Sequence, residues 1–127
     1  MEKIFKTLYV KNDLSSEYKI GFLSPILNEN TSSKHIVRIN QAYDEQNNPS
    51  NLTTTIWNIS NSNYRFGKGS LELSEGTMSW IFGGNRDENG TVLITSATGI
   101  YEKELGKIKM KWTVLDNNLY KMEFIIF

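Results

Sequence analysis

From Lys107 to Val114 the chain alternates strictly. Ile108, Met110, Trp112 and Val114 are apolar, while Lys107, Lys109, Lys111 and Thr113 are polar. The last segment repeats the pattern, with Tyr120, Met122, Phe124 and Ile126 on one face and Lys121 and Glu123 on the other. A period of two over this length describes strands with one buried and one wet face. The short Asp116-Asn117-Asn118 connection suits an antiparallel turn, so the two segments form a hairpin. Further candidate strands run over 2–12, 18–27, 34–43, 52–60, 69–74, 77–83 and 91–97, with 106–115 and 119–126 as the hairpin. Turn residues fall between them at Asn28–Ser33, Asn61-Ser62-Asn63, Glu75-Gly76 and Gly83–Gly90, and polar Asp44–Asn51 is short enough for a hairpin loop. Every window with helical spacing is interrupted by β-branched residues or Gly. Strands at this spacing predict a sandwich or a closed barrel, all-β, forming one domain over 1–127.

Elsewhere the alternation is weaker. In 35–43, His35, Val37, Ile39, Gln41 and Tyr43 share one face, and Ile36, Arg38, Asn40 and Ala42 the other. In 52–59, Thr53, Thr55, Trp57 and Ile59 oppose Leu52, Thr54, Ile56 and Asn58. Met78, Trp80 and Phe82 share a face. An interior that collects the aromatic faces holds Trp57, Trp80, Trp112, Tyr43, Phe82 and Phe124 beside Gln41 and two threonines. Flat rings with a few polar groups describe a small-molecule pocket, and equally a filled core.

Composition agrees with the all-β reading: 2 Ala stand against 13 Ile, 10 Thr and 15 aromatics in 127 residues. Lys plus Arg and Asp plus Glu both total 14, which weighs against a nucleic-acid binder relying on a basic face. Cys is absent, which removes disulfides and thiolate chemistry, and His35 alone cannot build a His-rich metal site. No metal or cofactor is expected. Lys6 and Thr7 interrupt the first apolar run, and no stretch approaches the ~20 apolar residues of a membrane helix. A cytoplasmic protein without a membrane span is the expectation.

Gly69-Ser-Leu-Glu-Leu-Ser-Glu-Gly76, then Thr98-Gly99-Ile100-Tyr101-Glu102 and Gly106-Lys107-Ile108-Lys109-Met110, resemble the order and spacing of allene oxide cyclase and dirigent-type barrels. The similarity extends more weakly back to about His35. Ser96, Ala97 and Lys103 stand where glycines are usual in that family. Asn12 matches a substrate-steering Asn of the first strand, and Val10 stands where its Glu would be. The resemblance implies an eight-stranded antiparallel, calycin-like β-barrel with an apolar cavity, often oligomeric, so a homodimer or homotrimer is compatible. Its relatives include bacterial spirotetronate cyclases and the dirigent proteins. Fatty-acid-binding proteins, avidins and lipocalins are disfavoured because no Gly-x-Trp occurs. Gly99 is expected to supply a positive φ at a sharp turn, and Gly106 a close backbone approach.

The carboxylates offer no acid/base pair: Glu72 and Glu123 alternate with apolar neighbours and should face water, and Glu102 and Glu104 lie in a turn. His35 reads as a rim residue near a strand end. A cavity without strong acids, bases or metals can still accelerate an intramolecular cyclisation by holding a flexible polyene in a near-attack conformer. In that reading Gln41, Tyr43 and Tyr9 are the catalytic donors that polarise a carbonyl. Asn12, Trp57, Trp80, Phe82, Trp112 and Phe124 would contact a hydrophobic small molecule. The expectation is a cofactor-independent cyclase or isomerase for a polyene or lipid-like substrate in specialised-metabolite biosynthesis. The alternatives are a non-catalytic carrier or dirigent-type scaffold, and a filled barrel that associates through outward apolar residues such as Leu115 and Ile125.

Overall fold

The computed structural model describes residues 2–11, 17–22, 34–58, 64–85, 88–116 and 119–127, with the side chains of 17–22, 34–38, 58 and 85 outside that description. Among the described residues nine strands run in chain order: β1 Lys3–Lys11, β2 Glu17–Phe22, β3 Lys34–Tyr43, β4 Pro49–Asn58, β5 Tyr64–Leu73, β6 Gly76–Asn85, β7 Gly90–Ala97, β8 Ile108–Asp116 and β9 Leu119–Ile126. A 3-10 helix, Gly99–Glu104, joins β7 to β8.

From β2 to β9 each strand pairs antiparallel with the next, and β9 pairs antiparallel with β1. Closure comes from β1 meeting the end of β3, with Tyr9 opposite Tyr43 and Val10 opposite Ala42. The result is the closed eight-stranded antiparallel barrel expected above, with β2 paired to the earlier part of β3 as a ninth strand. Closure pairs both sides of the eight barrel strands, and among the described residues β2 keeps one side without a strand partner. Among the described residues, no helix is long and apolar enough to cross a membrane.

Several boundaries differ from the sequence reading. β4 starts at Pro49, a position where the missing N–H is tolerated at a strand's first residue. Asp44 closes the preceding turn, its Oδ1 accepting from the backbone N–H groups of Gln46 (2.9 Å) and Asn48 (2.8 Å). β5 starts at Tyr64, five residues earlier than expected, and β6 runs on to Asn85, so Gly83 and Gly84 are strand residues rather than loop.

The core lies inside the barrel and is densest toward one end. Phe124, Leu8, Leu71, Met78 and Ile108 are fully buried there. Phe5 packs against Tyr101 and Phe124 with ring centroids 6.0 and 6.4 Å apart, and Trp80 meets Phe124 edge-on at 6.0 Å. The 3-10 helix closes this end by inserting Tyr101, which is buried. Its hydroxyl donates to Glu75 Oε2 (3.2 Å), while the Ile100 N–H donates to the Glu75 carbonyl (3.1 Å) and the Thr98 N–H to the Thr77 carbonyl (3.0 Å). Gly99 adopts φ 65°, as expected, and a Cβ there would lie 2.1 Å from the Glu75 carbonyl oxygen. Gly106 corrects its expectation: it has φ 93° with nothing within 4 Å of a built Cβ, so backbone handedness and not close approach requires it. Thr98-Gly99-Ile100-Tyr101-Glu102 is thus the plug of the sealed end.

Candidate ligand cavity at the open end

Away from the plug the barrel is incompletely filled. A cavity of about 110 Å³ opens at the end formed by the last residues of β1, β4, β6 and β8 and the first of β5 and β9. Trp80, Phe82, Trp112 and Tyr120 form its aromatic wall, and Val10, Leu52, Ile56, Met110 and Met122 its aliphatic wall. Thr54, Arg65, Gly83 and Gly84 complete the lining.

The wall is held by specific contacts. On β8, the Trp112 Nε1–H donates to the Glu88 carbonyl (2.8 Å), and its ring meets Phe82 edge-on with centroids 6.4 Å apart. Asn89 Oδ1 accepts from the Val114 N–H (2.8 Å), tying the approach to β7 onto β8. Both cavity tryptophans face a cross-strand glycine: Trp80 pairs with Gly69 and Trp112 with Gly90. A Cβ on Gly69 would sit 2.4 Å from the Trp80 ring, and one on Gly90 would sit 2.5 Å from the Trp112 ring. The indoles therefore occupy space that side chains on β5 and β7 would otherwise fill.

Of the residues expected to contact a ligand, Trp80, Phe82 and Trp112 are brought together on the cavity wall. Phe124 is not; it lies beneath Trp80 in the packed end, with no exposed surface. Trp57 is on the outer surface, stacked at 6.4 Å on Phe66 with planes 14° apart, because β4 turns Leu52 and Ile56 inward. Asn12 lies outside the described residues.

The three expected donors also face outward. β3 buries Asn40 and Ala42, which leaves Ile39 and Gln41 exposed on the opposite face. Tyr43 shares that outer face and donates to Gln41 Oε1 (2.8 Å). Tyr9 lies between buried Leu8 and Val10 and across from Tyr43, so it too points away from the cavity. A strand shifted by one residue exchanges its two faces completely, and both faces of β3 carry apolar residues, so the pattern there has no decisive phase. Of the outward apolar pair, Leu115 is exposed, but Ile125 is buried and offers no surface patch. Glu72 is exposed as expected, and Glu123 lies beside Lys121 at 3.7 Å on the barrel exterior.

Arg65 and Tyr120 went unrecognised as cavity residues. Tyr120 belongs to the alternating C-terminal strand, where it reads as core. Arg65 sits in a part of β5 whose inner positions are Arg65, Gly67, Gly69 and Leu71, with Tyr64 and Phe66 outside. That inverts the usual pattern: Gly69 makes room for the Trp80 ring of the neighbouring strand, while at Gly67 the Thr55 backbone comes too close for a Cβ. An alternation count from Arg65 to Leu71 would have found the face only by accepting glycine as an interior residue.

Among the described residues, the one ionisable group moved far from its ordinary range lies at the opposite end. Burial pushes the Tyr101 hydroxyl up to about 12, helped by the charge of Glu75 and the hydrogen bond given to it. The Glu75 carboxyl is lowered, chiefly by its own backbone N–H; burial opposes this, and the Tyr101 hydroxyl adds to the lowering. This pair is part of the plug and not of the cavity.

The chain matches no protein-family model and no curated protein. A functional reading therefore rests on the barrel itself.

Proposed function

We propose that this barrel is a hydrophobic small-molecule binding protein that holds its ligand in the open half. The observation that carries this reading is the contrast between the two ends. One end is packed around Phe124 and plugged by Tyr101, while the other leaves about 110 Å³ between Trp80, Phe82, Trp112 and Tyr120. Apolar walls with a few polar groups are the usual make-up of a small-molecule site. The volume suits a single ring or a short chain, since a comparable apolar cavity of roughly 150 Å³ accepts benzene. A longer ligand would extend out through the mouth. The resemblance to allene oxide cyclase and dirigent-type barrels agrees with this use of the fold.

A second reading is a cofactor-independent cyclase or isomerase for a hydrophobic substrate in specialised-metabolite biosynthesis. Arg65 and Tyr120 favour it, because they bring hydrogen-bond donors to an aromatic wall that limits water. They replace Gln41, Tyr43 and Tyr9 in that role. Holding a reactive conformer in such a site can lower a barrier by roughly 7–11 kcal/mol in favourable cases.

Native mass spectrometry of the purified protein, followed by denaturing extraction, tests the first reading. A co-purifying apolar molecule recovered unchanged after long incubation supports a binding protein, and its conversion to an isomer supports the cyclase. A ligand-free protein that also takes up no neutral polarity-sensitive dye refutes both.

A further inference from the structure

Among the described residues, Arg65 is the one charged residue lining the cavity, and its surroundings are unusual for a partly buried charge. Among the described residues it forms neither an ion pair nor a hydrogen bond through its side chain; the ion pairs present are Lys109–Glu2 and Lys121–Glu123. Its cross-strand neighbour on β6 is Gly84, which also lines the cavity. A Cβ built on Gly84 would meet nothing within 4 Å, so the space beside Arg65 is open. Interior charges are ordinarily paired, because desolvation without a partner is costly.

We infer that the ligand is an amphipathic carboxylate, whose head group pairs with Arg65 while its apolar body lies between Trp80, Phe82 and Trp112. This inference rests on the ligand-holding reading above and narrows it to one chemical class. The reasoning is one of charge and shape. A single guanidinium matches a single negative charge, and its planar fork gives two parallel N–H···O bonds to a carboxylate. Among the described residues the remaining lining is almost wholly apolar, with Thr54 and Tyr120 the other polar side chains, so a dianionic phosphate would find no second counter-charge among them. Position supports the same polarity. Arg65 is the second residue of β5, at the mouth, whereas Met110 and Trp80 lie deeper, toward Phe124. A carboxylate at the mouth keeps contact with water while the ring or chain is withdrawn from it.

The test compares 3-phenylpropanoate with its uncharged isostere 3-phenylpropanamide by calorimetric titration of the intact protein at neutral pH. The wild type should bind the acid roughly tenfold or more tighter than the amide, as a charge-assisted pair in a partly desolvated site does. Arg65→Gln should abolish this preference, weakening the acid far more than the amide. Arg65→Lys should keep only part of the preference, because it retains the charge without the fork, and it serves equally where Arg65→Gln does not fold. Equal affinity of the wild type for acid and amide would overturn the inference and leave the ligand-holding reading standing. A preference that survives in both variants would overturn it as well. Binding of neither probe to the wild type would overturn both the inference and the reading it rests on.

Discussion

The Trp80 indole lies over Gly69, the residue directly across from it on the neighbouring strand, so closely that a Cβ on Gly69 would fall 2.4 Å from the ring. This pair sits where the packed and open halves of the barrel meet, since Trp80 touches Phe124 on one side and lines the cavity on the other. Gly69→Ala must therefore displace the ring or the strand. Overpacking of this kind costs about 1–3 kcal/mol, and urea denaturation should show a loss in that range. Ser70→Ala, one position along on the outer face, should show little change by the same measurement.

Phe124 and Trp112 should separate stability from binding. Phe124 is fully buried in the sealed end, so Phe124→Ala should lose about 3–5 kcal/mol in chemical denaturation. Thr54 lines the open half and is only partly buried, so Thr54→Trp should fill the cavity without breaking the packed end. Dye or ligand capture should then weaken about tenfold or more, equivalent to ~1.4 kcal/mol, with the fold retained by circular dichroism. Trp112→Ala should enlarge the cavity and alter ligand selectivity, read as a change in the order of affinities for rings of different size.

Outer-face donors should be silent toward the cavity. Tyr9→Phe, Tyr43→Phe and Gln41→Ala change groups that point away from the lining, and exposed substitutions of this kind usually stay within about 0.5 kcal/mol in stability. Ligand affinity measured by titration should match the wild type for all three. A strong loss in any of them would show that its strand faces the other way.

Stability should fall at high pH because of the plug. Folding raises the Tyr101 hydroxyl from its ordinary 10.0 to about 12, so its contribution is fully present below pH 10 and is lost as the pH rises through about 12. Glu75 acts in the opposite direction: its lowered carboxyl contributes above the ordinary carboxylate range, and that contribution is lost on acidification through the folded value. Tyr101→Phe should flatten the alkaline limb of a plot of melting temperature against pH. An unchanged alkaline limb would contradict the partly buried Tyr101–Glu75 bond.

The barrel was legible in the sequence where one face of a strand was plainly wet. β8 and β9 alternate lysines with large apolar residues, and their inward faces are those the pattern predicts. On β6, Met78, Trp80 and Phe82 were likewise placed correctly inside. The phase failed on β3 and β4, where Ile39 and Trp57 lie outside while Ala42 and Leu52 lie inside. There the decisive constraint is tertiary: β1 closes on β3 with Val10 opposite Ala42, both buried, and a ring such as Tyr43 faces out. On β5 Gly67 and Gly69 concealed the face that carries Arg65, because what fills their space belongs to other strands, the Thr55 backbone of β4 and the Trp80 ring of β6. The candidate site was therefore half legible, its tryptophans on β6 and β8 found and Arg65, the charged residue among its described lining, missed.

The central claim is that the open half of the barrel admits an apolar molecule while the plugged half does not. Methionine methyls report this directly, because Met110 and Met122 line the cavity and Met78 is buried in the packed end. With protein carrying carbon-13 in its methionine methyls, toluene would be titrated and the methyl resonances followed by NMR. The account predicts saturable shifts at Met110 and Met122 with Met78 nearly unmoved. No shift at Met110 and Met122 at saturating toluene, or equal shifts at all three, would contradict it.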